Sequence, residues 1–587
     1  MQSHVASVLR QSRRFVERRK THLLVAGGVA TFSLAVLEPV KAKSPETKQQ
    51  VFIWGRHSAI PGGENSDVLW PKRMEWFEEN ANGWKKVSFG PDFGGAIDEK
   101  GQLYVWGNFG SHSIGPLRVE VMGAGRGQGL EDVQFSAKKM FALTRRGDAL
   151  TFDNFLTALQ QRLAPKVAVQ KALEELEKAN EEERTKLEAA VKEAKAAAKD
   201  SISDAPLKLE ASVVAGLPRA GWLGWLQGYR GRVQSMSIGM EHGCFLTYQG
   251  QLYCVGGNEY GQCGRAPPKQ RGPMGALEER RRVEVDVPVL VDFPRQTGPI
   301  RRVEVGGRHT IAQDAKGRCF SFGDDRRIQL GLGDTRTGGH DERHAYGVLN
   351  QDGLGGKKVK GDIQRAVSYR YYDPHMQTKP VQQVAPLAIN RPDYPPASFF
   401  SCGEDFTISV FRDSPDWYAA ANVTNVAFAC GENGAGQCGR SMHQQQQVWS
   451  QVRLPKHSCV DQLRCGQAHC LALLKDGRLL AWGSNPQGQV GNGKRSLVSR
   501  PIIITQRPEL PSGLAQLADN DMPQTVTPSD LYKRAVYQHA QSQKSNQFSG
   551  PDVPESPVAK ELPGNIVSIQ CGFRNSAVIC EVPVATR

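Results

Sequence analysis

A short element, Gly-x-x-(His or aromatic), returns along this chain with a fixed internal ruler, and it limits the possible folds more than any other feature. The marked glycines are Gly90, Gly239, Gly306, Gly403, Gly466 and Gly572, with Ser136 in one further copy. Three positions later stand Phe93, His242, His309, Phe406, His469 and Asn575, with Lys139 in the odd copy. Eleven positions after the first mark comes a second glycine, at Gly101, Gly147, Gly250, Gly317 and Gly477. Sixteen positions after it stand Trp106, Phe152, Val255, Phe322 and Trp482, and four of these are followed by another glycine (Gly107, Gly256, Gly323 and Gly483). The copy on Gly403 needs extra residues, Asp413–Thr424, before Phe428-Ala429-Cys430-Gly431. Self-similarity at this spacing is the signature of a repeat architecture.

The marks predict local structure. Apolar residues flank two-residue turns such as Gln249-Gly250, Lys316-Gly317 and Asp476-Gly477, a β-hairpin pattern. Each unit therefore supplies a strand before its first glycine and a hairpin ending at the aromatic-Gly step. Several units continue into a Gly-Gln-x-Gly loop: Gly261–Gly264, Gly436–Gly439 and Gly488–Gly491. Glycine suits such positions through positive φ or close approach.

These residues resemble the regulator-of-chromosome-condensation repeat, with its Gly-x-x-His, Gly turn, Trp-Gly and Gly-Gln-Leu-Gly steps. The resemblance covers roughly residues 51–580 with interruptions. It implies an all-β fold, a seven-bladed β-propeller of four-stranded blades, an architecture that protects sheet edges. Seven marks run from Gly90 to Gly572, and the last copy stops at Cys580 before its terminal strand. Val51-Phe52-Ile53-Trp54-Gly55 is the missing strand, so Phe52, Trp54 and Gly55 are expected to close the ring as a clasp.

Three stretches break the rhythm, at about 153–230, 337–395 and 499–563. Lys166 to Lys199 is rich in Ala, Glu, Lys and Leu without Gly or Pro, which predicts a helix. It leads to Trp222 and Trp225, which either pack against the ring or face a partner or bilayer surface. The second stretch holds Lys357, Lys358 and Lys360, a solvated loop or a basic contact for a partner. The third, rich in Pro, Gln, Ser and Asp, reads as a flexible surface segment.

The N-terminus reads as an address. Arg10, Arg13, Arg14, Arg18 and Arg19 crowd residues 1–20 with Glu17 as the only acid, the composition of a mitochondrial presequence. Residues 22–38 follow as a short hydrophobic anchor, with Leu23, Leu24, Val25, Phe32, Leu34 and Leu37 in its uncharged run. The run from Leu23 to Leu37 falls short of the ~20 residues that span a bilayer comfortably. Positive charge ahead of it favours a matrix N-terminus, while peripheral association would leave the rest on the matrix side. The side of the membrane stays open.

The chain carries a formal +14. Residues 1–43 hold eight Lys or Arg against Glu17 and Glu38, a net of +6, leaving +8 for the remainder. That is unremarkable for its size and does not single out nucleic acid as a partner. Twelve cysteines are too dilute for a disulfide scaffold, and no CxxC pair occurs. Cys459, Cys465, His469 and Cys470 invite a zinc reading, but Cys402, Cys465 and Cys571 all precede a marked glycine and His469 matches His242 and His309. They are repeat positions, so neither a metal nor a cofactor is expected. No catalytic constellation stands out, which points away from an enzyme.

Presequence, short anchor and degenerate repeats together resemble the fungal mitochondrial inner-membrane members of this family, implicated in respiratory complex III assembly. The resemblance implies a non-catalytic scaffold whose partners are respiratory-chain subunits or assembly factors. Guanine-nucleotide exchange on a small GTPase and a mitochondrial RNA or ribosome-assembly role are the alternatives.

Overall fold

The computed structural model describes residues 47–62, 66–79, 83–109, 112–178, 206–218, 232–265, 284–294, 297–324, 327–331, 385–386, 397–412, 425–440, 449–456, 458–507 and 561–583, with isolated positions 188, 191 and 192. The presequence arginines, the apolar run 23–37, Trp222, Trp225, Lys357, Lys358 and Lys360 lie outside these residues. No described helix is long and apolar enough to cross a membrane.

The fold is an all-β propeller. Its strands form five four-stranded sheets and one of eight strands. A representative sheet runs Val460–Cys465, His469–Leu474, Leu479–Gly483 and Val498–Ile503, every pairing antiparallel. The first strand ends at the marked glycine, the Gly-x-x-His turn follows, and the second glycine makes the next turn. At that turn Gly101, Gly147, Gly250, Gly317 and Gly477 all have φ between +78° and +88°, a region that L side chains avoid. The eight-stranded sheet is two such meanders joined edge to edge, where Leu207–Val213 pairs in parallel with His112–Gly123.

The innermost strands make a closed circuit. Trp84–Phe89 packs against Leu130–Phe135, which meets Val233–Ile238, then Ile300–Val305, Phe399–Cys402, Val460–Cys465 and Asn565–Cys571, which returns to Trp84–Phe89. The chain ends supply the last sheet jointly. Thr47–Gly55 pairs with Asn575–Pro583 in unbroken register, from Thr47 opposite Pro583 to Gly55 opposite Asn575. The strand starts four residues earlier than the apolar run at Val51, because polar Thr47-Lys48-Gln49-Gln50 still pairs by backbone. Val68–Arg73 adds the outer strand, so the N-terminal segment supplies two strands of this sheet.

Adjacent sheets are tied by a side-chain relay. His242 Nε2 lies 2.7 Å from Thr310 Oγ1, His309 Nε2 3.0 Å from Thr407 Oγ1, and His469 Nε2 3.0 Å from Ser576 Oγ. Each hydroxyl also donates to a backbone carbonyl of the previous unit's loop: Gln262 at 3.1 Å, Gln329 at 2.9 Å and Gln489 at 2.8 Å. With its one proton so used, the hydroxyl accepts from the imidazole, which fixes the Nε2–H tautomer. Burial holds His242 neutral, with a pKa near 3, and His309 and His469 near 4. The marked glycine lies beneath this ring: a Cβ on Gly306 would meet His309 Cε1 at 2.3 Å and the carbonyl oxygen of Gly403 at 2.5 Å.

The loop carbonyls serve the aromatic mark too. Trp482 Nε1 donates to Gln437 O and Trp54 Nε1 to Gln489 O, both at 2.9 Å. Within the loops the glutamine side chain accepts from a backbone N–H two residues earlier, as Gln489 does from Gln487 at 3.0 Å. Ile328-Gln329-Leu330-Gly331 is a fourth such loop, hidden in the sequence because Ile328 stands at φ +68° where the others have glycine.

The irregular stretches differ from expectation in their bounds. A helix runs Phe155–Lys178 rather than starting at Lys166. Pro165 ends a helix in a propensity reading because it removes a backbone bond, a cost of about 3 kcal/mol. Phe155, Leu159 and Leu163 are buried on the second sheet's core, and burying each contributes about 1.5–3 kcal/mol, enough to carry the helix through. The carbonyl of Asn154, a favoured N-cap residue, accepts from Ala158 N–H at 2.9 Å. Leu207–Val213, inside the supposed insertion, is a true outer strand whose side chains alternate between core and solvent. Likewise Ala385–Pro386 and Val498–Ile503 belong to sheets.

Deleting residues 47–55 is expected to abolish cooperative thermal unfolding and produce aggregation visible by light scattering, since Asn575–Pro583 becomes an open edge. Thr407→Val leaves the buried His309 N–H without an acceptor, and denaturant titration should show a loss of about 1–3 kcal/mol. The unfolded imidazoles take up protons below pH 6.5 while the folded ones do not until about 4 or lower. Stability is therefore full above pH 6.5 and declines as pH falls, by about 2 kcal/mol for each histidine at pH 5. Melting curves from pH 7 to 5 should show this decline, reduced by about a third in His309→Phe.

Candidate functional site

The innermost strands enclose a central channel with a cavity of about 630 Å³. Its walls follow the repeat register. One residue before each marked glycine stand Phe89, Phe135, Ile238, Val305, Cys402, Cys465 and Cys571. Two residues before it stand Ser88, Gln134, Ser237, Glu304, Ser401, Arg464 and Gln570, and four before it Lys86, Asp132, Ser235, Arg302, Phe399 and Gln462.

Many of these side chains hold neighbouring strands together. Ser237 Oγ accepts from Val305 N–H and Ser401 Oγ from Cys465 N–H, each at 3.0 Å. Gln134 Oε1 accepts from Ile238 N–H at 2.8 Å. The thiols make an analogous rung: Cys402 donates to Glu304 O at 3.8 Å, Cys465 to Ser401 O at 3.8 Å and Cys571 to Arg464 O at 3.3 Å. Burial pushes the Cys402 and Cys571 thiols well above their ordinary range, which favours the protonated, donating form. Among the described residues no group of three or more His, Cys, Asp and Glu is placed to hold a metal ion.

Charge lines the channel at Lys86, Asp132, Arg301, Arg302, Glu304, Glu404, Asp461 and Arg464. Lys86 pairs with Asp132, and Arg302 donates to Ser398 O. Burial raises the pKa of Glu304, opposed by Arg464, Lys86 and Arg302. Of the channel side chains only Cys402, Cys465 and Cys571 were picked out from the sequence, although the constant offset before the marked glycine is the signal that locates the others too. The described residues present a polar, mixed-charge channel and, among them, no nucleophile paired to a base.

The strand directions sort the surface. In an antiparallel meander, first-to-second and third-to-fourth connections leave from one end and the others from the opposite end. The helix Phe155–Lys178 joins a third to a fourth strand, at the end of the Gly-x-x-His turns, while Lys357, Lys358 and Lys360 lie outside the described residues. Trp222 and Trp225 likewise lie outside the described residues. The marks Gly90, Trp106, Gly239, His242, Gly306, His309, Gly403, Gly466, His469, Trp482 and Gly572 sit at turns and seams, and Phe52, Trp54 and Gly55 in the strand that joins the chain ends.

The Regulator of chromosome condensation (RCC1) repeat model matches residues 249–313, and a second model of that repeat matches residues 233–262 and 460–489. The Ultraviolet-B receptor UVR8 of Arabidopsis thaliana is 22% identical over 289 residues, 46% of this chain and 58% of that protein. The Arabidopsis thaliana RCC1 domain-containing protein RUG3, mitochondrial, is 25% identical over 263 residues, 44% of each chain. The chain thus spans about half the length of these relatives. Human WBSCR16 superposes with a TM-score of 0.50 at 13% identity, covering 91% of this chain and 100% of that one. Saccharomyces cerevisiae Prp20p gives 0.51 at 13%, covering 92% of both. At such identities the structures speak for the fold, which is similar to these propellers, and the repeat models for the sequence, which matches the regulator of chromosome condensation repeat over residues 233–313 and 460–489.

Proposed function

We propose that this chain is a seven-bladed, non-catalytic scaffold of mitochondria, held at the inner membrane by residues 22–38 after targeting by residues 1–20. It holds unassembled respiratory-chain subunits, those of complex III first, on the end of the ring that carries the Gly-x-x-His turns. The observation that carries this reading is the division of labour in the structure. Repeat side chains are spent on strand-to-strand contacts, while the helix Phe155–Lys178 is added between the third and fourth strands of its sheet, at the end of the Gly-x-x-His turns. The circuit of innermost strands supports seven blades, counting each half of the eight-stranded sheet as one. The mitochondrial address read from the N-terminus is supported by a relative, RUG3, whose name places it in that organelle. A propeller by itself does not specify a partner, so the chemistry of the exposed connections must do so. Lys357, Lys358 and Lys360 suit an acidic segment of a client subunit.

The reading is tested by co-purifying tagged full-length chain from gently solubilised mitochondria. Respiratory-chain subunits or their assembly factors are expected as the leading partners. Replacing 332–384 by a short Gly-Ser linker should lower their recovery at least tenfold, whereas the same replacement of 508–560 should not. Predominance of one small GTPase, as Prp20p with its reported binding to Gsp1p would suggest, or of ribosomal RNA, would overturn the proposal.

A further inference from the structure

One seam between sheets is built differently from the two seams beside it. Where a unit has His at its mark, the next unit answers with a hydroxyl: His242 with Thr310, His309 with Thr407 and His469 with Ser576. The unit on Gly403 has Phe406 at its mark, and the next unit has Cys470 in the hydroxyl's place. Cys470 Sγ reaches the same loop carbonyl, Gln437 O, at 3.6 Å. Directly opposite it across the hairpin stands Cys465, and the two sulfurs are 3.5 Å apart. Cys465 is half-buried and faces the channel, while Cys470 is fully enclosed. Another cross-strand pair in register, Cys244 with Cys254, is already a disulfide.

We propose that Cys465 and Cys470 form a redox modification site, a channel-accessible dithiol that small disulfides convert to a cross-strand disulfide. The thiolate of Cys465 attacks one sulfur of oxidised glutathione; the glutathione S–S bond breaks, one glutathione departs as thiolate and the other remains on Cys465. Cys470 then loses its proton and attacks the Cys465 sulfur, expelling the second glutathione. Two protein thiols are oxidised and one glutathione disulfide is reduced to two thiols, which take up the two protons. Burial raises the Cys470 thiol well above its ordinary range, so the accessible Cys465 reacts first.

The bond changes the seam. Cys465 Sγ now donates to Ser401 O and Cys470 Sγ to Gln437 O, both in the preceding sheet. Oxidation removes both protons and replaces two inter-sheet contacts by one bond inside a sheet. Neighbouring seams keep their imidazole–hydroxyl bridges, so the effect is confined to the junction of Phe399–Cys402 with Val460–Cys465.

The test equilibrates the full chain in glutathione buffers of graded potential, quenches it with acid, alkylates the free thiols and maps disulfides by peptide mass. The expected result is a Cys465–Cys470 disulfide while Cys402, Cys438 and Cys571 remain alkylatable. Amide exchange in Phe399–Cys402 and Asn425–Gly431 should rise at least threefold on oxidation. Cys470→Ser, which restores the hydroxyl found at 310, 407 and 576, should fold and stop at a glutathione mixed disulfide on Cys465. Free Cys465 and Cys470 in every buffer that keeps Cys244–Cys254 oxidised, or wild type stopping at the mixed disulfide, would overturn the proposal. Unchanged exchange would refute the effect on the seam.

Discussion

The nine-residue pairing of Thr47–Gly55 with Asn575–Pro583 is the contact on which the rest of the ring rests. Repeated sheets arranged in a circle gain their last interface only when the chain's two ends share a sheet. Without that sharing, the first and last units would each expose an unpaired edge and an apolar flank. Val51, Phe52, Ile53 and Trp54 are buried here, and Trp54 also reaches across to the Gln489 loop of the neighbouring sheet. The same strand thus closes its own sheet and seals the adjoining seam.

Around the ring, cohesion comes from short-range chemistry repeated at constant register. A glycine allows a ring to lie against it, an imidazole or aromatic side chain fills that space, and a hydroxyl or thiol of the next unit reaches the previous loop. Because each piece fits only its neighbour, changes come in pairs. Phe406 and Cys470 stand together where the flanking seams have His and a hydroxyl, since a phenyl ring cannot donate a proton and needs no acceptor. Buried donors without acceptors are costly, and this couples residues on separate sheets.

The channel and the surface follow from that commitment. Side chains that would otherwise be free to act on a ligand are bonded to adjacent strands, and the thiols of Cys402 and Cys571 are held protonated by burial. Beyond the repeat, chain is added between strands. Helix Phe155–Lys178 shows how such an addition is anchored, with Phe155 against Phe93 and Phe135 at ring-centroid distances of 5.1 and 5.7 Å.

The sequence by itself determined the repeat, its turns and the need for an N-terminal strand to complete the last unit, because these depend on residue type and spacing within a few tens of positions. Glycine at positive φ, alternating strands and the aromatic-Gly step are local requirements, legible wherever they occur. Tertiary structure alone decided where Leu207–Val213 belongs, that the helix runs through Pro165, and that Ile328 occupies a loop position built for glycine. It also decided that Cys470 faces Cys465 and Gln437. In each of these, contacts from residues distant in the chain outweigh the local preference, and no spacing rule along the chain carries their energy.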